Sequence, residues 1–265
     1  MNVLVIGANG SIGRLAVKHA LAAGHNVRAL VRSEKKAASI SIPAGMPQPE
    51  IFVGDLTRED DLVRALEGID GVIFCHGSSG VRLGMRDIDY GTVMRTLRAL
   101  RGRPVRLVLM SAVSVTARGG MYNRLTGICD WKRRAERIVR ASGLPYTIVR
   151  PGWFDCNSPA EQRLVWRHGD KFTSGSPDDG RVSREQIASV LAAALTSPSA
   201  VGKTFELVAE QGEDTMDREA LFAAVPSDVP GAEDAPEDTP NQPVSEEPEE
   251  VRSDLTEAAR LFPNE

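Results

Sequence analysis

"NVLVIGANGSIGRLAVKHALAAGHNVRALVR", residues 2–32, decides the fold. An apolar, β-branched run (2–7) stops at a glycine. Apolar side chains then recur at helical spacing (11–24), end at Gly24, and give way to a second β-rich run (25–32). This reads as strand, turn, helix, strand, and a helical crossover of that kind makes the two strands parallel neighbours. In the turn, Gly7, Gly10 and Gly13 fall at G-x-x-G-x-x-G spacing, each with its own physical job. Gly7 permits the tight turn off the strand, and Gly10 lets backbone amides approach a pyrophosphate with no Cβ in the way. Gly13 lets the helix lie close on the sheet, and the helix N-terminus adds a positive dipole end. Asn9, Ser11 and Ile12 complete the loop, and Arg14 follows it.

The same alternation continues. Strands are expected at 50–55, 70–77, 105–112 and 146–152, and helices at 58–68, 85–102 and 130–143. Continuous apolar strands separated by helices need cover on both faces, which is an α/β, doubly wound parallel sheet, the Rossmann fold. Beyond Pro151 the pattern loosens into a small C-terminal α/β extension, with helices expected at 158–169 and 183–197 and a strand at 203–208. Between 226 and 248 there are six prolines among acidic residues, a composition that cannot bury enough surface to fold alone. The piece at 249–262 places Val251, Leu255, Ala258 and Phe262 on one helical face. The expected division is therefore a dinucleotide-binding domain over 1–209, with substrate-side elements from about 151, and an acidic Pro-rich tail with an amphipathic helix over 210–265.

At 265 residues and 42% hydrophobic the chain can build one large core. No apolar run approaches the roughly 20 residues that cross a bilayer, and the first residues read as a strand rather than a secretory leader. Cys75, Cys129 and Cys156 lack C-x-x-C spacing, so neither a disulfide framework nor a metal site is expected. A cytoplasmic protein without membrane contact is the expectation. The net charge of −4 hides an asymmetry: residues 210–265 hold 17 acids against 3 arginines, leaving 19 acids and 29 bases in the body. The body's positive charge is scattered, which argues against nucleic acid. The tail docks either on its own domain or on a protein partner, and the sequence leaves both open.

The second strand distinguishes between dinucleotides. An NAD binder places an acid at its end for the ribose 2′-hydroxyl. Here the end reads "ALVRSEKK", with Arg32 first. A guanidinium suits a 2′-phosphate, so NADP(H) is favoured over NAD(H).

"GANGSIGR", "VRALVR", "VGDLT", a lysine-bearing helix and "GLPYTIVRPGWF" occur in that order. Together they resemble the atypical short-chain dehydrogenase/reductase superfamily, in its NAD(P)H-binding, NmrA-like and sugar-epimerase-like branch, over roughly residues 1–209. The resemblance implies that Asp55 and Leu56 contact the adenine. It places Cys75, His76 and Gly77 along the cofactor ribose and phosphates, and Ser111 and Ala112 beside the nicotinamide. By the same resemblance Lys132 bonds the nicotinamide ribose, and Pro151, Gly152, Trp153 and Phe154 wall the nicotinamide and a small-molecule substrate.

Reductases of that superfamily use a Ser-Tyr-Lys set, in which the tyrosine gives a proton to the substrate carbonyl. Ser111 and Lys132 match two members. The position four before Lys132 is Ile128, and the chain's tyrosines are Tyr90, Tyr122 and Tyr146. Tyr90 and Tyr146 read as packing residues, leaving Tyr122, in the loop before the lysine helix, as the candidate replacement acid. His76 is a candidate to titrate near neutrality, Cys129 a candidate helix-start thiol, and Asp130 an N-cap. The arginines at 133, 134, 137 and 140 read as a solvated helix face. Three functions stay open: hydride transfer to a quinone, flavin or enone with the proton from water, an NADP(H) sensor acting through a protein partner, and an epimerase or dehydratase.

Overall fold

The computed structural model describes residues 1–78, 84–172, 174–214 and 217–262, without the side chain of Tyr122. β1 (Asn2–Ile6) enters α1 (Gly13–Ala22) through the glycine turn, and β2 (Asn26–Val31) returns parallel to it, Val3 opposite Val27 and Ile6 opposite Leu30. Next come α2 (Glu34–Ala37), β3 (Glu50–Val53), α3 (Glu59–Ala65) and β4 (Gly71–Phe74). A π-helical turn (Met85–Tyr90) runs straight into α4 (Gly91–Leu100), followed by β5 (Arg106–Met110), α5 (Met121–Thr126), α6 (Ile128–Ala141) and β6 (Tyr146–Pro151). The remainder is β7 (Trp153–Phe154), β8 (Arg163–Arg167), β9 (Arg181–Val182), α7 (Arg184–Ala194), β10 (Lys203–Glu210), α8 (Arg218–Ala224) and α9 (Glu249–Leu261).

The main sheet runs β3-β2-β1-β4-β5-β6-β10-β8. All neighbours are parallel except β10 and β8, which pair antiparallel at the edge. Along β1 the side chains alternate between two cores. Val3 and Val5 face the layer of α1 and α7, where Ala16, Val17 and Ala20 share a cluster with Ile187, Ala188 and Leu191. Leu4 and Ile6 face α3, α4 and α6, represented by Leu62, Val93, Leu97 and Ile138. A strand whose two faces are both buried reads as a continuous apolar run, which is why 2–7 carries no polar alternation. Strand order reverses between β1 and β4, and open parallel sheets bind ligands beyond the strand ends at such a reversal.

Three sequence expectations are corrected. The helix expected over 158–169 is the edge strand β8. Trp166 packs its ring 4.7 Å from Phe205 and 5.6 Å from Phe222, and β10 supplies the backbone partners that a helix would find within itself. Asp130 does not cap α6: Gly127 holds that place, and Asp130 instead accepts from Arg118 and Asn123. The arginines of α6 are not solvated, since Arg133 is 0% and Arg137 1% exposed.

Those arginines meet the tail. Asp234 accepts from both Arg133 and Arg137, at 2.8 Å and 2.7 Å. Glu247 accepts from Arg134 and Arg137, and Asp228 takes Arg140. Arg134 also lies 4.3 Å over the Trp131 ring. α9 then packs Val251, Ala258 and Phe262 into the core beside α4 and α6, while Asp254 accepts from Tyr90 Oη and Arg98.

Candidate functional site

The glycine turn is built as its sequence demands. Gly7 sits at φ +84°, and a Cβ there would lie 2.7 Å from the His76 backbone nitrogen. A Cβ on Gly13 would strike the Gly7 carbonyl, so α1 reaches the strand end only with glycine at that position. The Gly10 amide donates to the Gly7 carbonyl at 2.9 Å, closing the turn. At the start of α1, Ile12 offers no side-chain cap, and the first turn holds no acid. Uncapped amides and a positive dipole end suit an anion, and with a turn that side chains would fill, the donor set fits a dinucleotide pyrophosphate. Asn9 and Gly10 are half-buried, Ser11 and Arg14 are exposed, and Ile12 is buried beneath.

Beside this turn four side chains converge on a small cleft lined by His76, Asp89, Ser111 and Lys132, with Leu109, Met110 and Ala135. They come from the ends of β4 and β5, the π-helical turn and α6. Lys132 Nζ lies 3.2 Å from Asp89 Oδ1, an ion pair with side chains only 13% and 2% exposed. Asp89 Oδ2 accepts from the Ser78 amide at 3.0 Å and the Ser78 hydroxyl at 2.7 Å. Burial opposes ionisation of Asp89, but the Lys132 ammonium and the Ser78 donors outweigh it and hold the carboxyl below its ordinary value.

His76 is buried, and its Nε2 lies 3.4 Å from the Asp89 carbonyl. Burial pushes its pKa down to about 4 despite the nearby Asp89 charge. The ring is therefore neutral at physiological pH, which overturns titration near neutrality. Its Nδ1 is buried with no partner among the described residues. The Ser111 hydroxyl is also buried; it faces Glu136 without forming a regular hydrogen bond. Burial raises the Cys75 thiol to about 12 and the Cys129 thiol to about 11, so Cys129 is not a reactive thiolate.

The remaining predicted residues do not line that cleft. Gly77 is exposed and Ala112 half-buried past β4 and β5. Pro151 and Gly152 are buried, Phe154 is half-buried, and Trp153 is 41% exposed. Arg32 and Asp55 are both exposed at the ends of β2 and β3, within electrostatic reach of each other. Leu56 is buried, its carbonyl accepting from Arg95 Nε at 2.8 Å. The Tyr122 side chain lies outside the described residues. Of the other tyrosines, Tyr90 gives its hydroxyl to Asp254 and Tyr146 to Asp228, both away from the cleft.

Asp89 is the residue that sequence reasoning missed. The signal was available: it stands four residues from both Met85 and Val93, on the buried side of its helix. An acid in an apolar stripe needs a partner, and Lys132 is that partner.

The sequence model of the family described as NAD(P)H-binding matches residues 7–198. Protein TIC 62 of Pisum sativum, a chloroplastic protein, is 28% identical over 86% of this chain and 46% of its own length. Sanguinarine reductase of Eschscholzia californica is 27% identical, covering 85% of this chain and 96% of its own. The chain spans about half the length of the TIC 62 proteins it matches. Among solved structures, a putative NAD-dependent epimerase/dehydratase from Bacillus halodurans superposes with TM-score 0.64 at 24% identity, covering 85% of this chain and all of that one; it shares the fold. With the glycine turn, the lysine cleft and a family match over most of its length, the chain belongs to the NAD(P)H-binding family.

Proposed function

We propose that this chain binds NADP(H) across the C-terminal ends of β1, β4 and β5 and passes hydride to a small conjugated acceptor, a quinone, a flavin or an enone. One observation carries the reading: the Asp89–Lys132 pair, with neutral His76 and Ser111, stands at the sheet's ligand-binding edge beside a turn shaped for pyrophosphate. When bound, the nicotinamide supplies the hydride. Lys132, held by Asp89, has one fixed ammonium to offer a ribose hydroxyl. The neutral imidazole of His76 presents an unpaired Nδ1 in the same cleft, and Ser111 a buried hydroxyl that faces Glu136.

Carbonyl reduction by a tyrosine relay is disfavoured. Ile128 occupies the usual position, and the hydroxyls of Tyr90 and Tyr146 are engaged elsewhere. Acceptors that take hydride at a conjugated carbon or nitrogen draw their proton from water and need no such acid. Similarity to a sanguinarine reductase over nearly that protein's full length supports a reductase reading. Arg32 at the end of β2, with no acid before Glu34, supports the phosphorylated cofactor.

The test is NADPH oxidation followed by absorbance with a panel of quinones, flavins and enones. Turnover with at least one class is expected. Tight NADPH binding with no turnover across the panel removes the hydride-transfer reading.

A further inference from the structure

An arginine outside every motif considered above lies on the cofactor crevice. Arg184 is the first residue of α7, and its guanidinium reaches the glycine turn, with Nε donating to Ser11 Oγ at 3.0 Å. Nη1 pairs with the Asp155 carboxylate, and the guanidinium carbon lies 5.2 Å from the centre of the Phe154 ring. Nη2 makes no hydrogen bond among the described residues. One side chain thus spans from the turn before α1 to the wall beyond β6.

The placement is fixed by several independent contacts. Ser183 and Gln186 form a reciprocal capping box that sets the first turn of α7. The Arg184 amide donates to Asp155 Oδ1 at 2.9 Å. Glu185 ties α7 to α1 through Lys18 Nζ at 2.8 Å and His19 at 3.0 Å. Beneath them the two helices share an apolar cluster. The Arg184 backbone cannot drift from the turn without disturbing that packing, while the side chain, 34% exposed, can turn on its stem.

From this geometry we infer that Arg184 is the pyrophosphate clamp of the crevice. It closes on the dinucleotide beside the α1 amides, exchanging Ser11 and Asp155 for phosphate oxygens. The chemistry is that of a planar guanidinium, which meets two phosphate oxygens with parallel N–H donors where an ammonium offers one point charge. The α1 amides neutralise part of a diphosphate, and among the described residues no other cation hydrogen-bonds Ser11. The clamp acts on the part shared by NADH and NADPH, whereas Arg32 acts on the 2′-phosphate alone. This inference rests on the proposed dinucleotide binding and assigns its anion contact.

The experiment is titration of the full chain with NADPH, NADH and ADP-ribose, which keeps the pyrophosphate but lacks both nicotinamide and 2′-phosphate. Arg184→Gln is expected to weaken all three by a similar factor, roughly tenfold to a hundredfold for a lost charge-assisted contact. Arg184→Lys, which keeps the charge but not the fork, is expected to recover part of the loss and separates a binding defect from a folding one. Loss for NADPH with ADP-ribose unchanged would overturn the assignment, as would unchanged affinity for all three. Failure of the wild-type chain to bind any of them would instead refute the dinucleotide reading itself, and the clamp with it.

Discussion

At the scale of single residues, Asp89 and Lys132 show how much depends on a partner. A buried ammonium without a counter-ion is costly, and removing one member of a buried pair typically costs 3–5 kcal/mol. Asp89→Leu should therefore lower unfolding free energy by about 3 kcal/mol, read from urea denaturation. Lys132→Met combined with Asp89→Leu should lose less than the single change, because no charge is then stranded. A double loss equal to the sum of the losses from Asp89→Leu and Lys132→Met measured singly would show that the two groups are not coupled. Arg32 is exposed at the end of β2. Arg32→Glu should lower affinity for NADPH by tenfold or more relative to NADH, given about 1.5–3 kcal/mol for a charged hydrogen bond. An equal loss for both cofactors would sink the 2′-phosphate assignment.

At the scale of elements, the glycine turn and α6 behave oppositely. The turn is legible because only glycine satisfies it: a methyl at position 13 collides with the Gly7 carbonyl, inside backbone that cannot move aside. Gly13→Ala should cost about 1–3 kcal/mol through overpacking and abolish measurable dinucleotide binding. Thermal melting and cofactor titration check the two parts. α6 misleads because a row of arginines looks solvated whenever its partners lie far away in sequence. Asp234 is 97 residues from Arg137, and no helical periodicity reports a pairing at that distance. Burial opposes the Asp234 charge, but Arg137 and Arg133 outweigh it and hold the carboxyl well below its usual range. Truncation after residue 225 would strip Arg133 and Arg137 of their acids Asp234 and Glu247, and Arg150 of Asp238. A markedly lowered melting temperature is expected, and an unchanged one would show that the tail adds nothing to the fold.

At the scale of the molecule, Arg150 joins the pieces. It is fully buried and bonds Glu136 of α6, Glu206 of β10 and Asp238 of the tail. Three carboxylates around one guanidinium cannot all be equally satisfied. Burial opposes the Glu136 charge, but Arg150 outweighs it and lowers that carboxyl to about 2, whereas burial raises Glu206 to about 7 against the pull of Arg150. A carboxyl whose folded pKa is raised binds its proton more tightly folded than unfolded, so its ionisation penalises the fold as pH rises through the range from 4.5 to about 7. Replacing Glu206 by Gln removes that penalty. From about pH 8 to about pH 4 the wild type should gain up to about 3 kcal/mol relative to Glu206→Gln. A gap that does not change with pH in paired denaturation curves would refute the raised pKa.

The sequence by itself determined the parallel α/β sheet, the glycine turn, and the places of Ser111 and Lys132 at strand and helix positions near it. These rest on local physics: continuous apolar runs for strands buried on both faces, period-3.6 burial for helices, and the steric demand for glycine. Tertiary structure alone decided the rest. It made 163–167 an edge strand because β10 lay ready to pair, gave Lys132 its aspartate and kept His76 neutral by burial. It also carried Arg184 from α7 to Ser11 and folded an acidic tail onto the arginines of α6. Each of these is a contact between residues distant in sequence, and its energy depends on burial and charge that exist only once the chain has closed on itself.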